Sequence, residues 1–443
     1  MTRPALRLSL VVLASALAFA PPFLSAVQAA PPVADNPDAS EPQAAPATLL
    51  IHAKIHVGDG TVIDDGSVLI EDGKIAKVQP GTLGAADAPG ATVVDLGGKT
   101  LTPGLIAADT ALGLVEIGLE DSTHDEARQD ESPIRASYDP GPAVNADSSL
   151  IAVQAIEGIT TAAVAPRGGL ISGSVAWIDL LPNDHRRIVA ERSVAVVANG
   201  GRAVQGSRAA TLAELRRAFE DAQWLRENER NFDRGAAREL AGHPADLEAL
   251  WPVLDDEVPL VVRANRASDL LALVELAGEL GVELTILGAA EGWKVKEELA
   301  AAKVHVVVQP TRNLPGSLDG LGSRMDNAAL LQAAGVTVAL AVFDTHNVRN
   351  LTQEAGIAVA NGLDAKAALS AVTLNVAKAY GLDDDYGTIA VGKVASVVVW
   401  DGEDPFEFST WAEQVYVRGE ALDMRSRQTQ LRERYRELDG FAP

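Results

Sequence analysis

Five side chains stand at or just beyond the ends of short apolar runs, where an α/β protein commonly presents its chemistry: Asp109, Arg263, Glu291, Asp344 and His346. Asp344 closes the run Val336-Thr-Val-Ala-Leu-Ala-Val-Phe-Asp344 and is the candidate catalytic group, a carboxylate able to move protons. It reads equally as a local cap for the loop from Thr345 to Asn350, since aspartate often accepts from nearby backbone N–H groups. Asp109, Arg263, Glu291 and His346 are candidate substrate-binding groups. Together with Asp344, the acidic members and His346 would make a carboxylate-rich site better suited to a hard cation than to zinc. A histidine without spaced partners says little for a metal, however, and a structural, hydrogen-bonding role for it is the simpler reading. Arg263 carries a fixed charge that can hold a ligand carboxylate in a bidentate pair or close internally on Asp109 or Asp344. Buried with no partner it would be costly.

Other chemistries find little support. The chain has seven histidines and no cysteine, so disulfide and thiolate chemistry are absent. His52 and His56 are spaced to share a face of a strand, but in the terminal sheet, and His305 begins a strand at the wrong end for catalysis. His124, His185 and His243 stand singly. Ser172 and Ser174 flank a glycine without forming a nucleophile elbow. Gly168-Gly169 lacks the spacing of a phosphate-binding loop and reads as a tight turn between a strand and a helix. The long acidic insertion from Glu116 to Pro142 has the character of a lid.

Two patterns of elements must position these groups. Near the start, Leu49–His56, Gly66–Ile70 and Ile75–Val78 are short, β-branched runs separated by Gly-Asp clusters, and Glu71-Asp-Gly-Lys74 reads as a hairpin turn. The same pattern returns in Gly387–Ala390, Ala395–Trp400 and Gln414–Arg418, so both chain ends are expected to build one small composite β-sandwich. Between them, strands are predicted at Leu105–Asp109, Thr160–Val164, Val194–Ala198, Leu260–Val262, Leu284–Leu287, Val304–Val308 and Val336–Val342. Amphipathic helices are predicted at Ala210–Glu227, Ala267–Leu280, Trp293–Ala302 and Asn327–Ala334. The alternation predicts an α/β fold, a distorted TIM (β/α)8 barrel plus the composite sandwich.

The domain expectation is a signal peptide over 1–29, a flexible leader over 30–46, sandwich halves at 47–102 and 386–424, the barrel at 103–385, and a helical tail at 425–443. Arg3 and Arg7 precede an apolar run from Leu8 to Ala20 that is short for a membrane span, and Val27-Gln-Ala29 offers a cleavage site. The expected location is therefore the periplasm, with no membrane partner after cleavage. The formal charge of −24 becomes −26 without the two arginines, which argues against nucleic acid as a partner. The expected partners are a small-molecule substrate or ligand and a further subunit, either a second copy or an active paralogue.

Several segments together carry a family resemblance. Gly97-Gly-Lys-Thr-Leu-Thr-Pro-Gly-Leu-Ile106 leads into the first barrel strand, and Gly362–Leu382 precedes Gly387-Thr-Ile-Ala-Val-Gly-Lys393 and Ala395–Asp401. These resemble the corresponding segments of the amidohydrolase superfamily, including imidazolonepropionase-like members. The resemblance implies hydrolysis of non-peptide carbon–nitrogen bonds, such as amides or cyclic amides, by water activated on zinc or another divalent metal. It also implies where ligands should fall: paired histidines on strand one, a carboxylated lysine or glutamate on strand four, histidines on strands five and six, and an aspartate on strand eight. Here Asp109 and Ala111 occupy the first pair, Arg263 stands on strand five and Gly288 near the strand-six position. No lysine occurs between Lys99 and Lys294. Asp344 alone matches, so no metal ligand set is assigned and the cofactor stays unknown. Two readings remain open: a hydrolase with an unconventional site centred on Asp344, and a catalytically inactive paralogue that binds a small molecule or partners an active amidohydrolase.

Overall fold

The computed structural model describes residues 47–436 apart from 85, 128–131, 205, 234–237, 315 and 317. The signal-peptide and leader segments and the last seven positions of the tail lie outside the described residues. Five strands open the chain: β1 (Thr48–His56), β2 (Val62–Glu71), β3 (Lys74–Pro80), β4 (Thr92–Asp95) and β5 (Thr100–Pro103). The barrel region follows with β6 (Leu105–Thr110), β7 (Ile159–Val164), β8 (Ile171–Ser174), β9 (Ala176–Asp179), β10 (Val189–Glu191), β11 (Val196–Asn199), β12 (Leu260–Ala264), β13 (Leu284–Gly288), β14 (His305–Val308) and β15 (Thr337–Leu340). The chain returns through β16 (Val397–Trp400), β17 (Ala412–Val417) and β18 (Glu420–Ala421).

Both chain ends do join in one composite β-unit. Its sheet runs β18-β17-β16-β5-β1-β2-β3, with β4 paired to β1. The seam is the antiparallel ladder of β5 on β16, in which Pro103 faces Val397 and Thr100 faces Trp400. Leu50, Ile55, Ile75, Leu101, Val397 and Val399 pack into its core, the expected consequence of apolar alternation along each strand. The alternation is interrupted in β1, where register shifts fall between Leu50 and Ala53 and again between Ala53 and Ile55. His52, at φ +53°, pairs with Asp95 at 2.9 Å, apart from His56.

The barrel is an α/β unit laid out over eight strand positions, and its third position is unusual. β6 and β7 are parallel, and β11 through β15 form a parallel run. Between them, β8 and β9 are two parts of one extended run that breaks only at Val175. β9 lies antiparallel to β7, and β8 lies antiparallel to β11. The reason lies in the connection: six residues separate Val164 from Ile171, whereas a parallel return needs a crossover of roughly a dozen or more. The Gly168-Gly169 segment, expected to lead into a helix, therefore turns one strand back along another. Between β15 and β6, at the edges of the two barrel sheets, the Thr110 hydroxyl donates to the Asp344 carbonyl at 2.9 Å.

Burial explains why these runs are strands. Every residue of β6, β7, β8 and β9 is buried, which fits strands covered on both faces. Ala267–Leu280 is the helix after β12; it turns Leu270, Leu273, Leu276 and Ala277 inward and ends on Gly281 in the left-handed region at φ +70°. The terminal helix Arg427–Arg436 buries none of its residues.

Candidate functional site

The C-terminal ends of the barrel strands meet at a cavity of about 430 Å³. Asp109, from β6, lies at its base with 3% of its surface exposed. Two guanidiniums hold this carboxylate. Arg263, from β12, donates from Nη2 to Oδ1 at 2.8 Å and from Nε to Oδ2 at 3.3 Å. Arg167, from the turn after β7, places Nη1 2.9 Å from Oδ1 and 2.8 Å from Oδ2. Burial alone would raise the Asp109 pKa, but Arg263 and then Arg167 overcome it and hold it at about 2. The clamp is anchored in turn: Arg263 Nη1 donates to the Pro166 carbonyl at 3.2 Å, and the Arg167 backbone N–H donates to the Glu126 carbonyl at 2.8 Å.

Of the five residues singled out in the sequence, Asp109, Arg263 and Asp344 share this cavity, whereas Glu291 and His346 are absent from its lining. Asp344 is half-buried. Its Oδ1 accepts from the backbone N–H of His346 at 2.6 Å and of Asn347 at 3.0 Å, the geometry of a local cap. Burial pushes its pKa up, but those backbone donors prevail and lower it. Its Oδ2 has one long contact, 3.4 Å from Asn347 Nδ2. His346 points its Nε2 to the Glu116 carbonyl at 3.2 Å, tying its own loop to the long loop after β6. Glu291 is a brace: Oε1 accepts from Lys294 Nζ at 2.6 Å and the Gly322 N–H at 3.1 Å, and Oε2 accepts from the Ala267 N–H at 3.1 Å. It thereby holds the start of the helix Ala267–Leu280.

The positions at which the resemblance places metal ligands can be tested against this geometry. Gly288 has φ +101°, a conformation that L side chains rarely adopt, and a Cβ built on it would lie 2.6 Å from Asn265 Oδ1 and 3.2 Å from the Ala264 carbonyl oxygen, so an imidazole-bearing residue would be strained on this backbone. At the end of β11, Asn199 spends its amide on the Gly169 carbonyl at 2.9 Å and Ser172 Oγ at 3.0 Å. Ala111 brings no ligand atom from its side chain. The donor set consists of a carboxylate already saturated by two cations and a second carboxylate engaged with backbone. Among the described residues, no group of three or more His, Asp or Glu is placed to share a metal ion. These residues do not fit a divalent cation, because the guanidiniums occupy Asp109 with like charge.

Sequence reasoning missed Arg167, because the short turn carrying it looked like a connection to a helix. It also missed Tyr380, whose hydroxyl donates to the Ala108 carbonyl beneath the clamp and whose pKa burial and the nearby Asp109 push up. Tyr380 lies in the Gly362–Leu382 segment that carries part of the family resemblance, but nothing in the sequence pointed it toward β6.

Residues 243–424 match the family model described as "Amidohydrolase family". An amidohydrolase from Thermotoga maritima MSB8 superposes with a TM-score of 0.75 at 26% identity, covering 85% of this chain and 100% of that one. This chain belongs to the amidohydrolase superfamily. The 5'-deoxyadenosine deaminase of Methanothermobacter thermautotrophicus is 26% identical over 388 residues, covering 78% of this chain and 83% of that protein. The imidazolonepropionase of Maricaulis maris is 32% identical over 114 residues, which span 25% of this superfamily member and 28% of the relative. That local match therefore covers little more than a quarter of the imidazolonepropionase. The barrel and the composite β-unit are both present in the chain, with the clamp at the mouth of the barrel.

Proposed function

We propose that this protein is a non-hydrolytic member of the amidohydrolase superfamily that binds a small molecule at its barrel mouth. One observation carries the reading: both oxygens of Asp109, at the first family ligand position, are held by Arg263 and Arg167. Water activation by a Lewis acid needs electron-donating ligands around an open coordination position. A guanidinium donates protons to hydrogen bonds and offers no lone pair to a metal. Membership of the superfamily points to carbon–nitrogen bond hydrolysis, and the relatives' names fit that chemistry, but this chain's own mouth is built to hold charge in place.

The test is elemental analysis of the purified protein after reconstitution with zinc, manganese and magnesium, with Asp344→Ala alongside, followed by hydrolysis assays on hydantoin and N-acetyl amino acids. Substoichiometric metal and no turnover are expected in both forms. Stoichiometric metal that is lost in Asp344→Ala, together with turnover, would replace the binding reading by an unconventional hydrolase centred on Asp344.

We further propose export to the periplasm with cleavage after Ala29, supported by the basic start and the apolar run of the first 29 residues. N-terminal sequencing of the protein recovered from the periplasmic fraction tests it, and an intact Met1 would count against it. Association with a second subunit, whether another copy or an active paralogue, is a further reading, checked by co-purification at native expression.

A further inference from the structure

Arg312 differs from the clamp arginines in having no carboxylate partner among the described residues. It follows β14, is exposed, and lines the same cavity as Asp109 and Asp344. Its guanidinium is nonetheless held in place. Nη2 donates to the Phe343 carbonyl at 3.3 Å, and the charged carbon sits 5.2 Å from the centre of the Phe343 ring. Phe343 itself has φ +51°, an uncommon conformation for a bulky side chain, and such strain concentrates at ligand-binding positions.

The charges lining the cavity do not cancel. Its charged side chains are Arg167, Arg263, Arg312 and Arg324 against Asp109 and Asp344. Arg324 is neutralised by a two-point pair with Asp326. Three guanidiniums then face two carboxylates, leaving one positive charge in a cleft on a chain whose formal net charge is −24. Leu287, Val308, Ala328 and Phe343 supply an apolar wall. A cavity of about 430 Å³ lies within the range of small-molecule sites, roughly 300–1,000 Å³.

We infer that the barrel mouth binds a small organic monoanion, a carboxylate with an apolar body, whose charged group is received by Arg312. The inference rests on reading the mouth as a binding site and adds the class of its ligand. A carboxylate matches the guanidinium's paired N–H groups. A cation meets the excess positive charge. A neutral ligand leaves that charge uncompensated, and a dianion brings its second charge toward Asp109 and Asp344. Arg312 is already oriented by Phe343, so little freedom is lost on binding.

The experiment is calorimetric titration of the full-length mature protein with hexanoate, benzoate, hexanamide, hexylamine and inorganic phosphate. Hexanoate or benzoate should bind at one site, with hexanamide weaker by roughly tenfold or more, about 1.4 kcal/mol. Arg312→Gln should weaken the carboxylate by a similar factor and leave hexanamide unchanged, with Arg312→Lys between them, and melting curves should show all three proteins equally folded. No carboxylate binding, equal affinity for hexanamide, a preference for phosphate, or indifference to Arg312→Gln would each overturn the inference. Metal-dependent hydrolysis would instead overturn the non-hydrolytic reading and leave the preference for a monoanion standing, so the two failures are distinguishable.

Discussion

Two buried aspartates in this barrel, Asp109 at the mouth and Asp179 at the seam with the composite sheet, meet opposite electrostatic outcomes. Asp179 is wholly buried; its Oδ2 accepts from Arg418 at 2.8 Å and from the Tyr386 hydroxyl at 3.2 Å, and its Oδ1 from the Thr161 hydroxyl at 3.1 Å. Burial dominates there and raises its pKa despite Arg418. At Asp109 the same desolvation is outweighed by two guanidiniums, and its pKa falls to about 2. One arginine plus neutral hydroxyls ties two parts of a fold together; two arginines fix a permanent charge. The seam ties the barrel to the composite sheet, and the clamp sits at the position where the resemblance places the first metal ligand.

The largest expected effect comes from breaking the clamp. Asp109→Ala leaves Arg167 and Arg263 facing each other without their shared anion, and urea unfolding should show a loss of about 3–5 kcal/mol. A loss no larger than that of an ordinary surface substitution would mean that the clamp rearranges freely and is no more constrained than the seam.

A smaller effect is expected where the family would place a ligand. Gly288→Ala puts a side chain at φ +101° against Asn265, and thermal or urea unfolding should register about 1–3 kcal/mol of destabilisation. A neutral result would show that the strand-six position can accept a side chain after all.

The finest test is the sign of the pH dependence at the two aspartates. Asp109 has a depressed pKa, so its stabilisation is present above its ordinary value of 3.8 and is lost as pH falls toward about 2. Asp179 has a raised pKa, so its contribution is complete below 3.8 and is lost as pH rises through its folded value. Asp109→Asn should therefore cost most at neutral pH and least in acid, whereas Asp179→Asn should cost most in acid and less at neutral pH. Unfolding curves across the acid range decide this. Parallel trends for the two variants would collapse the distinction between clamp and seam.

Much of the barrel was legible because buried strands carry a strong local signal. The runs predicted at Leu105–Asp109, Thr160–Val164 and Leu284–Leu287 correspond to β6, β7 and β13, since β-branched and apolar residues suit strands covered on both faces. The helix Ala267–Leu280 was readable to the residue from its apolar spacing. The third barrel position was not, because Ile171–Asp179 has the composition of a strand while its antiparallel direction depends on how few residues precede it. At the site, Asp109, Arg263 and Asp344 were visible as chemistry at strand ends. Glu291 was visible too, but its partners Lys294, Ala267 and Gly322 make it a brace.

The sequence by itself determined the superfamily architecture, the union of the two chain ends and the types of charge carried by the strand ends, because these depend on local periodicity and residue identity. Only the tertiary structure decided which charges meet. Arg167 and Arg263 lie 58 and 154 residues from Asp109 along the chain, and the packing of the barrel strands brings them within hydrogen-bond reach. Coulomb attraction and desolvation act through distance in space, which local sequence patterns do not encode.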